Sequence, residues 1–206
     1  STHPTLFTAT IELLYFYDVA SGKSMPVDIG WENGMGFGFE VTSDGFLALL
    51  PAGVRFKPAR YTKSGGTWTR AFLEGEHDKN YFSLVLGEDG KTLLYSYSTG
   101  SLPGQWYRAT LEGSKVTGAA KLTDINPQWK NKTFAKVEVI HYKGANEDEV
   151  EAILYYPHNY EPGKKYPLIT APHGGPAGAD MDGWGDSYAY AHNLLAQRGA
   201  FILEPN

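Results

Sequence analysis

The residues best suited to chemistry lie in the last quarter of the chain, in the tetrapeptide His173-Gly174-Gly175-Pro176. Paired glycines let a backbone turn sharply and approach a substrate carbonyl with no Cβ in the way. Pro176 then fixes the exit of the turn. Backbone N–H groups held rigidly in such a loop stabilise negative charge developing on an oxygen, which is what acyl transfer requires. The same letters also suit an ordinary strand-to-helix turn.

Charge stabilisation needs a nucleophile to create the charge. The sequence contains no Gly-x-Ser-x-Gly elbow, and its nearest match, Gly185-Asp186-Ser187-Tyr188-Ala189, lacks the last glycine. That segment comes only fourteen residues after His173, and a Gly/Asp-rich loop precedes it rather than a strand. Ser187 reads better as a helix cap than as a nucleophile. Cysteine is absent, which removes a thiol nucleophile, Cys-ligated metals and disulfides. His3, His77, His141, His158 and His192 are scattered without ligand spacing, so no metal site and no cofactor is expected. The acidic run Asn146-Glu147-Asp148-Glu149 reads as a solvated turn. Asn131-Lys132-Thr133 matches a glycosylation acceptor, a tripeptide common by chance. Trp184, Tyr188 and Tyr190 are assigned to packing a helix on a sheet rather than to a pocket.

The elements that would position the loop can be read from periodicity. Leu168 to Ala171 is a short apolar strand, and Ala200 to Leu203 is another. Between them Ser187 to Arg198 has helical spacing, with Tyr188, Ala191 and Leu195 on one face, Asp186 or Ser187 as cap, and Gly199 after the end. Strand, helix and strand in that order predict a parallel pair with a right-handed crossover. Upstream, Lys136 to Tyr142 and Val150 to Tyr155 predict a hairpin around the acidic turn, and a Pro-punctuated loop runs from Tyr156 to Pro167.

Residues 1–128 have a different texture. Short aromatic and β-branched runs alternate with Gly, Asp and Ser turns, and Asp44-Gly45 recurs as Asp89-Gly90, 45 residues on. Apolar runs flank each pair: Phe37 to Val41 and Phe46 to Leu50 around the first, Phe82 to Leu86 and Thr92 to Tyr97 around the second. Ala59-Arg60-Tyr61 is echoed by Trp106-Tyr107-Arg108, and Leu73-Glu74-Gly75 by Leu122-Thr123-Asp124. A period in the forties with about four strands per unit predicts propeller blades, two and part of a third. A plain antiparallel sandwich is the other reading of the same pattern.

Six segments carry a more specific likeness: Asp124-Ile125-Asn126-Pro127-Gln128, Ala135-Lys136-Val137-Glu138, Leu154-Tyr155-Tyr156-Pro157, Tyr166-Pro167-Leu168-Ile169, Pro172-His173-Gly174-Gly175-Pro176 and Leu203-Glu204-Pro205-Asn206. In content and order they resemble the prolyl oligopeptidase family of serine peptidases, nearest its acylaminoacyl-peptidase and dipeptidyl-aminopeptidase-like branch. The likeness is specific over residues 122–206 and only blade-like before that. It implies the end of a propeller in 1–128 and the incomplete start of an α/β-hydrolase domain in 129–206. It further implies an oxyanion loop at His173 and Gly174, shaped by Gly175 and Pro176. The Ser, Asp and His of the family's triad would lie outside this chain, which alone would be inactive. Its substrate class would be short peptides, admitted past the propeller. Two departures are visible. Asn146-Glu147-Asp148 stands where the family often has Asp-Gly. His173 stands where some members carry a tyrosine that donates to the oxyanion, so either its ring or only its backbone contributes.

Two further functional readings remain: an esterase-like α/β-hydrolase, since such a loop serves esters equally well, and a non-catalytic propeller binding peptide, glycan or protein. The net charge of −5 comes with acids and bases interspersed and no basic stripe, which argues against nucleic acid as a partner. No apolar run approaches the roughly 18 residues of a membrane span. The chain begins Ser-Thr-His-Pro, without Met, and is read as part of a longer protein, which leaves its compartment open. An unfinished sheet is expected to leave an apolar strand edge near Phe201-Ile202-Leu203, a surface for self-association.

Overall fold

The computed structural model describes residues 12–175 and 178–206, so Pro176 of the candidate loop lies outside the described residues. They are nearly all β, with a single short α-helix. A hairpin, β1 (Leu14–Asp18) and β2 (Lys23–Val27), comes first. A four-stranded antiparallel meander follows: β3 (Phe39–Thr42), β4 (Gly45–Ala52), β5 (Arg55–Ser64) and β6 (Thr67–Phe72). A second meander repeats that strand order: β7 (Tyr81–Leu86), β8 (Thr92–Thr99), β9 (Leu102–Glu112) and β10 (Lys115–Lys121). The two Asp-Gly pairs fall at equivalent places, where the first strand of each meander turns into the second.

The apolar pattern explains the layering. In β4 every residue from Phe46 to Leu50 is buried, because alternate side chains enter two different cores. Leu47 and Leu49 join Leu73, Tyr81, Leu93, Tyr95 and Leu111 on one side. Phe46, Ala48 and Leu50 join Ala59, Tyr61, Ile29 and Met35 on the other. Phe46 stacks on Tyr61 at 4.7 Å, and the Tyr61 hydroxyl donates to the Ile29 carbonyl (2.9 Å), so this buried phenol has its hydrogen bond.

The remaining sheet contains β11 (Val137–Lys143), β12 (Glu149–Tyr155), β13 (Leu168–Thr170) and β14 (Phe201–Pro205), in the order β11-β12-β14-β13. β13 and β14 are parallel and the other pairs antiparallel. The chain divides into two compact units: residues up to Tyr97 together with Trp106–Leu122, and Ser98–Gln105 together with Thr123–Asn206. Within the second unit the Gly100 N–H donates to the Asp182 carboxylate (3.0 Å), and the Trp184 N–H to the Ser98 hydroxyl (2.8 Å).

Three expectations are corrected. The helix is α1 (His192–Gln197), half the length that the spacing predicts. Ser187 to Tyr190 instead form a turn, with the Ser187 hydroxyl accepting the N–H of Ala189 (3.3 Å) and of Tyr190 (3.1 Å). A hydroxyl that satisfies these two donors locally competes with helix formation. Tyr188 is consequently fully exposed and Tyr190 mostly so, its ring edge-on to His192 at 6.2 Å, while Trp184 packs against Trp129 and Phe134 rather than holding a helix to the sheet. Lastly, Phe201-Ile202-Leu203 is not a sheet edge. β14 pairs with β12 on one side and β13 on the other, and Ile202 is fully buried. The hairpin reaches β14 directly through β12, so the edge on that side is β13, with Leu168 exposed, and the other edge is β11.

Candidate active-site loop

His173-Gly174-Gly175 leaves the carboxyl end of β13, whose parallel partner is β14. The last residues of the chain grip both ends of this loop. On the way in, the Ala171 N–H donates to the Leu203 carbonyl (2.8 Å). On the way out, Asp180 and Asn206 clasp each other twice: the Asp180 N–H donates to Asn206 Oδ1 and the Asn206 Nδ2–H donates to the Asp180 carbonyl, both at 2.8 Å. The Asn206 N–H is itself fixed to the Glu151 carbonyl (2.9 Å). The loop is thus tied to the sheet at both ends while its tip is exposed.

At the tip, a side chain on Gly174 would meet nothing within 4 Å, so this peptide faces open space. Gly178 is the opposite case: a Cβ there would lie 2.4 Å from the Gly174 carbonyl oxygen. The returning chain passes so close that only glycine fits. The His173 ring folds back on its own loop, Nδ1–H donating to the Gly174 carbonyl (3.0 Å). That bond orients the Gly174 peptide and occupies one of the two ring nitrogens.

Among the described residues no His, Asp or Glu side chain is hydrogen-bonded to the Ser187 hydroxyl. That hydroxyl is engaged with the backbone of its own turn, as above. Asp186 Oδ1 accepts the N–H of Asn193 (3.1 Å) and so satisfies an otherwise orphaned donor in the first turn of α1. Asn193 in turn accepts the buried Ala135 N–H (2.6 Å). An open cleft of about 470 Å³ lies here, lined by Trp129, Phe134, Trp184, Asp186, Asn193 and Leu194, among others. Among the described residues no three His, Asp or Glu side chains gather as metal ligands, and no helix is long and apolar enough to cross a membrane.

The least expected group is Glu204. It lies in β14 beside the residues that hold the loop, its side chain only 12% exposed, with Oε1 3.3 Å from Nδ1 of His192 in α1. Burial, and then the negative charges of Asp180 and Asp186, push its carboxyl up to about 7. Burial pushes His192 down, against the opposing pull of the same two aspartates. Both groups therefore favour their neutral forms. The His192 ring packs at 4.9 Å from that of Tyr155. The sequence carried a sign of this: Ile202 and Glu204 occupy alternate positions of a strand whose i, i+2 face is buried.

No family model matches the chain. It is 26% identical over 215 residues to probable dipeptidyl-peptidase 5 of Aspergillus clavatus, covering 97% of this chain and 27% of that protein. It is 27% identical over 209 residues to dipeptidyl-peptidase 5 of Aspergillus fumigatus, covering 94% of this chain and 26% of that protein. The chain spans about a quarter of the length of these curated relatives. Among solved structures, its fold matches an acylaminoacyl peptidase in complex with Z-Gly-Gly-Phe-chloromethyl ketone. The TM-score is 0.64 at 22% identity, over 93% of this chain and 27% of the other. The acylaminoacyl peptidase of Pyrococcus horikoshii matches with a TM-score of 0.65 at 21% identity, over 93% and 28%.

Proposed function

We propose that this chain, a relative of the prolyl oligopeptidase-type serine peptidases, supplies the oxyanion loop of a longer enzyme that cleaves short peptides as a dipeptidyl or acylaminoacyl peptidase. In this reading residues 1–128 end a propeller, of which the two meanders are blades, and residues 129–206 begin an α/β-hydrolase domain. The observation that carries it is the loop itself: a glycine pair at the carboxyl end of a parallel strand, tied at both ends and open at Gly174.

A rigid, exposed peptide at that position can meet a developing oxyanion at no cost in reorganisation. Backbone N–H groups of His173-Gly174-Gly175 do the donating. The His173 ring sets the Gly174 peptide through its bond to the carbonyl. The nucleophile, its base and the second donor come from residues beyond this chain, because among the described residues no His, Asp or Glu is hydrogen-bonded to Ser187 and its hydroxyl serves its own turn.

The test compares two proteins on chromogenic dipeptidyl and acyl-aminoacyl anilides, with a fluorophosphonate probe. The longer protein turns over the anilides and is labelled once per chain. The 206-residue chain does neither. Turnover by the short chain, or labelling of it that Ser187→Ala abolishes, would overturn the reading. So would a longer protein inert to both substrate and probe.

A further inference from the structure

Glu204 lies between the two attachments of the candidate loop. Leu203 before it accepts from Ala171, and Asn206 after it clasps Asp180. Whatever fixes Glu204 therefore fixes both ends of the segment carrying His173-Gly174-Gly175. Its side chain reaches α1, where His192 is buried and its Nδ1 makes no well-aligned hydrogen bond. A buried ring nitrogen without a partner is costly. The Glu204 carboxyl lies within reach at 3.3 Å and, if it carries the proton and turns toward the ring, supplies one.

We infer that Glu204 and His192 are a positioning pair: Glu204 is a neutral acid that donates its proton toward Nδ1 of a neutral His192, locking to α1 the stretch of β14 that holds the loop. The surroundings favour this state over an ion pair. The charged groups facing the pair are Asp180 and Asp186, both negative and both opposing a third carboxylate. The rings against it are Tyr155 from β12 and Tyr190 before α1, with centroids 4.9 and 6.2 Å from His192. Tyr155 is held protonated by its own burial, with Glu204 opposing its ionisation only once ionised itself and Asp186, Asp182 and Asp180 adding to this. Ionising Glu204 would place an uncompensated charge in this setting, loosening the anchor that both clasps share. The consequence for catalysis rests on the oxyanion reading of the loop, whereas the state of the pair does not.

The sign of the pH dependence follows. Glu204 has a folded pKa raised above its unfolded value, so its contribution is complete below that value and is lost as pH rises through about 7. His192 has a lowered pKa, so its contribution is complete above about 6.5 and falls only on the acid side. The loop should therefore loosen on the alkaline side because of Glu204 alone.

The experiment uses the 206-residue chain, isotopically labelled, with the Glu204 carboxyl and the His192 ring nitrogens followed by NMR and amide exchange followed at Ala171 and Asp180. The expected result is a Glu204 midpoint near 7, against about 4.3 for an ordinary glutamate, with Nδ1 of His192 bare between the ring's own acid-side titration and that midpoint. Exchange protection at Ala171 and Asp180 should fall through the same midpoint in the parent chain. It should stay flat in Glu204→Gln, whose amide still donates but does not ionise. A Glu204 midpoint near the ordinary value, an imidazolium at His192 persisting up to the Glu204 midpoint, or a Glu204→Gln chain whose protection still follows the parent curve would each overturn the inference. None of these readouts requires peptidase activity, so they stand or fall separately from the proposed function.

Discussion

Asp44-Gly45 and Asp89-Gly90 are the same dipeptide at equivalent places in two meanders, yet each glycine is there for a different reason. In the first, Ser43 and Asp44 form the turn, and Gly45 is already a strand residue paired with Thr42 and Thr62. A Cβ on Gly45 would lie 1.9 Å from the Tyr61 carbonyl oxygen, so the position needs glycine for close approach. In the second, Gly90 turns the loop with φ +66 and has open space around its would-be Cβ, so it is needed for conformation. The aspartates differ as well. Asp44 accepts from the Thr42 hydroxyl (2.8 Å) and from Arg60 (2.9 and 3.1 Å). Asp89 gathers the N–H groups of Lys91 and Thr92 and the Thr92 hydroxyl, at 2.7–2.9 Å. A repeat can preserve letters and placement while the physics that selects them changes.

The sharpest way to break this comparison is Gly45→Ala. The clash is with backbone in the middle of β5, which has nowhere to go without unpairing β4 and β5. We expect the chain to lose its cooperative unfolding transition in urea. A Gly45→Ala chain with the parent midpoint would show that the approach at Tyr61 is not a real constraint.

The next largest contrast lies between the central strands. β4 is buried on both faces, whereas β8 alternates, with Leu93 and Tyr95 buried and Leu94 only half-buried. Leu50→Ala should cost about 2–5 kcal/mol, the range for a fully buried leucine. Leu94→Ala should cost about 1 kcal/mol. Equal costs in denaturant titrations would mean that β4 and β8 are embedded alike. Both strands were legible in the sequence as apolar runs, Phe46 to Leu50 and Thr92 to Tyr97, but the runs did not tell burial on two faces from burial on one.

Less of the second unit was legible, for reasons that its residues make plain. The parallel pair β13 and β14 could be read from two short apolar runs and the glycines between them. The helix between was overextended because Tyr188, Ala191 and Leu195 share a helical face whether or not Ser187 diverts the backbone into its own turn. The anchors of the loop were invisible, since Ala171–Leu203 and Asp180–Asn206 join residues more than twenty positions apart, the first through main-chain groups that every residue has and the second through an Asn206 side chain whose partner no local pattern names. Gly178 is dictated by the passing Gly174 carbonyl, a contact that exists only once the loop has folded. Glu204 was quoted within a motif, and its alternation with Ile202 marks one face of β14, but the element packed over Glu204 on that face is α1, an arrangement that follows from packing and not from local pattern.

Gly90→Ala is the control for the first prediction and should be far milder, about 1 kcal/mol. It pays the left-handed backbone cost of a Cβ, partly offset by a less flexible unfolded chain. Gly90→Asn should recover part of that loss, because asparagine tolerates the left-handed region better than alanine. If Gly90→Ala proved as damaging as Gly45→Ala, the two glycines would share a role after all and the contrast would fail.

The smallest expected effect separates the two aspartates by pH. Three donors hold the Asp89 carboxyl down at about 2, the two backbone N–H groups first and the Thr92 hydroxyl after them. Asp44 is lowered chiefly by the Thr42 hydroxyl, with Arg60 adding its hydrogen bond and charge. In both cases the folded pKa lies below the unfolded one. Their contributions are therefore complete above the unfolded value, about 3.9, and are lost as pH falls through the folded one. Both groups are well exposed, which keeps the effects modest. Salt tells them apart. The Asp89 hydrogen bonds are all with neutral donors and should survive added salt, Arg108 adding only the smallest part by its charge, whereas the Arg60 part of the Asp44 interaction should be screened. Thermal unfolding of the parent, Asp89→Asn and Asp44→Asn across the acid range, at low and high salt, reads this out. Asp89→Asn should flatten the acid limb at both salt levels, and Asp44→Asn should differ from the parent mainly at low salt. Parallel acid limbs for the parent and Asp89→Asn would remove the case that this turn is held by its ionised carboxylate.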